Sequence, residues 1–145
     1  MTALVNPATG EIVEIDTSAL PPLDKYGPLE AVSPQEAAKV MIRVQRLRHD
    51  QVAELKRLRI EVARLTREAE KVKARSQLTA QGTAEDRKAQ GRLDSAEAFF
   101  KVACAEAVAE AAYNSMFVLR DDWDTCRSIG ANERAEKNAI EGIGS

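Results

Sequence analysis

Residues 33–80 and 83–129 are two stretches of nearly equal length with helical patterning, and only Gln81-Gly82 stands between them. Two long helices joined by so short a link have little choice but to fold back on each other. That constraint predicts an all-α chain: a long antiparallel two-helix coiled-coil hairpin, about 70 Å long at 1.5 Å per residue. The expected layout is a small N-terminal β-type arm at 1–16 and a Pro-rich linker at 17–33. The helical hairpin follows at 34–129 with its turn near 81–83, and 130–145 is read as a short helix and frayed tail.

The first helix has a clear start. Ser33 suits the N-cap, Pro34 the first helical position, and Glu36 the third position of a capping box. From Gln35 to Ala80 there is neither Gly nor Pro. Leu55, Leu58, Val62, Leu65, Ala69 and Val72 recur in the alternating three–four steps of a heptad pattern. Upstream, Val40, Val44, Leu47, Gln51 and Leu55 contain one extra step of four, a stutter that locally unwinds a supercoil. Gly82 ends the helix, Thr83 caps the next one, and Glu85 and Asp86 favour the positive end of its dipole. The second helix carries Ala89, Leu93, Ala96, Phe100, Ala103, Ala107, Ala111, Asn114 and Val118, with its own extra step at 103–111. A bend centred on Gln81-Gly82 sets 47–55 opposite about 108–116, so the two stutters overlap along one seam.

Hydrophobic residues make up 44% of the chain but aromatics only 4%, which suits a thin seam between helices better than a spherical core. Small residues crowd 104–112. The bulk lies at the open end, where Val40, Met41, Val44 and Leu47 are expected to face Tyr113, Met116, Phe117, Leu119 and Trp123. The second helix is expected to close near Ile129-Gly130, with 131–140 as a separate short helix. Ala3–Val5 and Ile12–Ile15 flank a Pro7/Gly10 turn and predict a hairpin, which is barely stable alone and must lie on something. Leu20, Leu23, Tyr26 and Leu29 offer anchors for the linker. Cys104 and Cys126 are too far apart on one helix to bond to each other and read as reduced apolar fillers. The N-terminus shows no basic-then-apolar signal pattern, and no apolar run approaches membrane-spanning length.

The formal net charge is −2, unevenly spread: 34–80 holds 12 Lys/Arg against 6 Asp/Glu, and 83–129 holds 6 against 9. Acidic helix two is expected to complement basic helix one. Arg43, Arg46, Arg57, Arg64, Lys71 and Arg75 form a stripe along roughly 45–50 Å of helix, suited to a partner or to phosphate contacts along a nucleic acid. No aromatics interleave with it to stack bases. Nothing else points to catalysis. His49 sits in Arg48-His49-Asp50 on a charged face, no Cys/His pair has metal-ligand spacing, and the glycines form no phosphate loop. Asp121, Asp122 and Asp124 are expected to meet Arg120, Arg127 or helix one, and Trp123 to join the core. No catalytic, cofactor or metal residue is assigned, and the expectation is a non-enzyme without cofactors.

The run 74–89, Ala-Arg-Ser-Gln-Leu-Thr-Ala-Gln-Gly-Thr-Ala-Glu-Asp-Arg-Lys-Ala, resembles the hairpin tip of small helical proteins of actinobacteriophages, where Ala-x-Gly-Thr/Ser precedes Glu/Asp-Arg-Lys-Ala. Leu119 to Glu136, around Asp121-Asp122-Trp123-Asp124, resembles the closing segment of that group. Val5-Asn6-Pro7-Ala8-Thr9-Gly10-Glu11 is similar to starts of phage early-region proteins. The resemblance spans about 34–136 and supplies no catalytic residues. It implies a small cytoplasmic phage protein encoded near recombination and replication genes. The expectations are then a helical adaptor docking a host or phage protein, dimerisation into a four-helix arrangement, and no membrane partner. The alternative is a nucleic-acid-binding accessory factor in phage recombination or replication.

Overall fold

The computed structural model describes residues 2–16, 21–31 and 33–143. Leu20, expected as an anchor, and the last two residues of the tail lie outside them. The elements are β1 (Ala3–Val5), β2 (Ile12–Glu14), α1 (Pro34–Thr79) and α2 (Ala84–Ile143), and the two long helices pack against each other. The chain divides into two compact units, each with a segment of both helices: 1–19 with 54–111, and 20–53 with 112–145.

The first unit holds the turn. Gly82 has φ +108, which side chains rarely adopt, and a Cβ there would fall 2.9 Å from Asp86 Oδ2. Thr83 N donates to Asp86 Oδ2 at 2.8 Å, and Asp86 N donates to Thr83 Oγ1 at 3.2 Å. This reciprocal box starts α2 and satisfies donors that a helix end would otherwise leave unpaired. Bonds from the Thr83 hydroxyl and backbone hold the Asp86 carboxyl below the usual carboxylate range. Residues 81–90 are all exposed, with Ala84, Arg87 and Lys88 bordering a shallow groove beside Gln77 of α1. Packing begins at Gly91, where a Cβ would lie 2.5 Å from Gln77 Cγ. Facing residues are therefore later in α2 than a bend centred on Gln81-Gly82 requires.

On α1 the expected series holds: Leu55, Leu58 and Ala69 are buried, with Val62 and Leu65 half-buried between them. Val72 is exposed and the half-buried place passes to Lys73. On α2 the expected series is only partly covered: Phe100 is buried and Ala96, Ala103, Ala107 and Ala111 are half-buried, but Ala89, Leu93, Asn114 and Val118 are exposed, and a second series is buried more fully. Gly91, Ser95, Val102 and Ala109 are buried and Ala98 and Ala105 half-buried, again in four–three steps but without the expected stutter. The expected series starts two residues away, about 200° around a helix of 3.6 residues per turn. Leu93 is accordingly 69% exposed. The reason is alanine: α2 carries small apolar residues on opposite faces, and only packing chooses between them.

The N-terminal strands form an antiparallel pair, Leu4 opposite Val13. Asn6, buried, closes their turn: its N–H donates to Glu11 O at 2.8 Å and its carbonyl accepts from Gly10 N at 2.7 Å. Its side-chain Oδ1 accepts from Ala8 N, while Nδ2 donates to Glu97 Oε2 on α2 at 2.8 Å. Ile15 is buried behind β2. The hairpin thus rests on the outer face of α2 around Ala96–Ala103, and Phe100, exposed by only 8%, is covered there.

The second unit contains the main cluster. Ala37, Val40, Val44 and Leu47 of α1 enclose Leu119 and Cys126 of α2, with Tyr26, Leu29, Ala31, Met41, Trp123 and Ile129 packed around them. The linker is therefore a strap on the helices. Gln51 lies buried at the α1 stutter, its Nε2 donating to Ser115 Oγ at 3.2 Å while Oε1 has no protein partner. Tyr113 and Phe117, expected inside, stand outside at 44% and 46% exposure and stack edge to face with centroids 5.2 Å apart. Nor does α2 close at Gly130. It runs to Ile143 without a break, because Gly130 lacks the positive φ of a C-cap, and a helical glycine costs only about 1 kcal/mol against alanine. Residues 131–143 are exposed throughout.

Gly82→Ala should lower the unfolding free energy by about 1–3 kcal/mol, from the forced positive φ and the collision with Asp86, read by urea denaturation.

Candidate interaction surface

The basic stripe divides into two parts with different surroundings. Arg43 and Arg46 serve the strap: Arg43 Nη1 donates to Pro28 O at 2.9 Å, and the Arg46 guanidinium lies 5.9 Å from the Tyr26 ring centroid. Gly27, at φ +120, leaves room for Arg43, whose Nε would sit 3.0 Å from a Cβ there. Tyr26 Oη and Lys25 Nζ both donate to Asp50 Oδ2, at 2.6 and 2.8 Å. The hydrogen bonds from Lys25 and then Tyr26 hold the Asp50 carboxyl below its ordinary value.

Arg57, Arg64 and Lys71 are exposed, and each pairs with a carboxylate three residues earlier on the same helix. Arg57 meets Glu54 at 2.6 Å, Arg64 meets Glu61 at 2.6 Å, and Lys71 meets Glu68 at 3.2 Å. The arginines bond both carboxylate oxygens, and these bonds hold Glu54 and Glu61 below the usual carboxylate range. The expected complement to the stripe thus comes from α1 itself, in a repeat of seven, rather than from acidic α2. The signal was present in the chain as Glu-x-x-Arg/Lys at heptad period. Arg75 stands exposed near the turn.

His49 is exposed and, with Gln45, Arg48, Val52 and Trp123, borders an open groove of about 450 Å³ in the second unit. Trp123 is half-buried against the main cluster. Among the described residues no ion pair joins Asp121, Asp122 or Asp124 to an arginine, contrary to expectation. Burial and then Asp121 raise the Asp122 carboxyl. No group of three or more His, Cys, Asp and Glu among the described residues is placed to hold a metal. Both cysteines are free, and burial pushes both thiols up, away from the thiolate that reacts.

Apolar side chains remain on the outer faces. In the second unit these are Ile42 and Val52 on α1, and Tyr113, Phe117, Val118, Ile140 and Ile143 on α2. In the first unit they are Ile60, Val72, Leu78 and Leu93 on the helices. An 18-residue stretch of α2 reaches a mean hydropathy of 1.2 with at most two ionised side chains, the length and composition of a membrane span, and only 22% of it is buried.

The depressed value of Asp50 means that its grip on the strap is complete above the ordinary aspartate range and is lost as pH falls through the lower native value. Acidification, or Asp50→Asn at neutral pH, should therefore speed proteolysis within 21–31. Replacing Glu54, Glu61 and Glu68 together by Gln should raise the salt needed to elute the protein from heparin, with little change in melting temperature. Comparison with protein-family models, with curated proteins and with solved structures finds no match to this chain.

Proposed function

We propose that this protein is a non-enzymatic helical adaptor that docks a host or phage protein in the host cytoplasm through the outer faces of its helices. The observation that carries this reading is the Tyr113–Phe117 pair, stacked in the open with Val118 beside it. Exposed, rigid aromatic anchors of this kind dominate the energetics of protein interfaces. The uncovered apolar character of α2 points the same way, since exposed apolar patches rimmed by charge mark partner surfaces. The phage assignment rests on the resemblance at 74–89 and 119–136.

In this reading the α1–α2 seam is a coiled coil, and a second copy completes a four-helix arrangement over the outer faces. Buried Gln51, with its unsatisfied Oε1, is the type of polar seam residue that fixes register at some cost in stability. Nucleic-acid binding through the stripe is the weaker reading, because its central cations already have carboxylate partners.

Tyr113→Glu with Phe117→Glu should leave the melting temperature nearly unchanged, since both rings are exposed. The pair should abolish self-association in sedimentation and the capture of partner protein from nuclease-treated host lysate. A wild-type chain that stays monomeric at high micromolar concentration would remove the four-helix arrangement. Capture that disappears on nuclease treatment would replace the adaptor with the nucleic-acid reading.

A further inference from the structure

The N-terminal hairpin does not seal the face of α2 on which it rests. Between them lies an open groove of about 410 Å³, within the range of small-molecule sites. Leu4 and Pro7 of the hairpin line one side, and Phe99 and Phe100 of α2 line the other. The lining is mainly apolar, and its two ionisable members, Lys73 and Arg92, are both cations.

These cations are largely uncommitted. Lys73 Nζ lies 5.8 Å from the Phe99 ring centroid, and its nearest carboxylate is Glu70 at 4.0 Å, the limit of an ion pair. Arg92 has no ion pair among the described residues. The carboxylates nearby on α2 are engaged: Asp94 accepts from Ser76 and Gln90, and Glu97 accepts from Asn6. An apolar trough edged by two cations selects a ligand that is itself divided, with an apolar body and an anionic end. A sugar or nucleotide would leave its hydroxyls and ring nitrogens facing Phe and Leu without partners, at a cost per group of about 1–3 kcal/mol.

We propose that the groove binds a free amphipathic monocarboxylate with an unbranched acyl chain of medium length. The chain lies along Phe99, Phe100, Leu4 and Pro7, and the carboxylate is held by Lys73 and Arg92. This site is independent of the adaptor surface at Tyr113 and Phe117. Its ligand occupies a place the hairpin only partly fills, so binding also secures the hairpin on α2.

The test uses the full chain with sodium octanoate below its micellar concentration, followed by methyl NMR. Saturable shifts of the Leu4, Ala96 and Ala103 methyls are expected, with 1-octanol, the uncharged analogue, bound at least about tenfold more weakly. Lys73→Glu with Arg92→Glu should weaken octanoate by about tenfold or more while leaving 1-octanol unchanged. Arg92 is exposed and Lys73 half-buried, and circular dichroism checks that the fold survives the double reversal. Ala103→Trp, which fills the groove, should remove both ligands. Absence of saturable shifts would overturn the proposal. So would equal affinity for octanoate and 1-octanol, or octanoate affinity that survives the double charge reversal.

Discussion

The closure at Gly82 is the constraint on which the other features depend. One residue at positive φ, followed at once by the reciprocal Thr83–Asp86 box, reverses the chain between two long helices in four residues. With so little slack, α2 must lie against α1. Together the helices carry most of the chain's apolar side chains, so what remains of the sequence can only cover helix faces. The strap at 21–31 and the hairpin at 2–16 do this, and neither has a core of its own. The strap is held by Tyr26 and Leu29 in the main cluster and by polar bonds to Asp50 and Arg43. The hairpin is held by Asn6 on Glu97 and by the covering of Phe100.

The two faces of α2 explain both the architecture and its open surfaces. One face, through Gly91, Ser95, Val102, Ala109, Ala112, Leu119 and Cys126, packs inward. The opposite face, from Leu93 through Phe100 to Val118, is also apolar. The hairpin covers its middle and leaves Leu93 and Val118 exposed. A helix apolar on two sides is either buried on both or available to a partner. The groove beside the hairpin is one consequence of that surplus.

Charge follows a different logic. The ladder of Glu54–Arg57, Glu61–Arg64 and Glu68–Lys71 is local and exposed, and such pairs contribute little to stability. Its effect is to quiet the field along the middle of α1. Lys73 of α1 and Arg92 of α2, by contrast, border the groove beside the hairpin without a close carboxylate partner.

The α1 series, including Gln51 at the stutter, was legible because bulky residues mark one face only. So were the Ser33 cap, the Gly82 bend and the β-hairpin, each set by local backbone chemistry. The inner face of α2 was not, because alanine gives no phase: both stripes have heptad spacing, and only the fit against α1 selects one. The stop at Gly130 was misread because glycine permits a helix end without imposing it. The fates of Tyr113 and Phe117, and the groove edged by Lys73 and Arg92, depend on which face of α2 turned inward and where the hairpin came to rest. The sequence alone therefore determined the elements and their reversal, through short-range sterics and capping. Tertiary packing decided the rotation of α2 and hence every candidate site, because that choice is made by contacts between residues far apart in the chain.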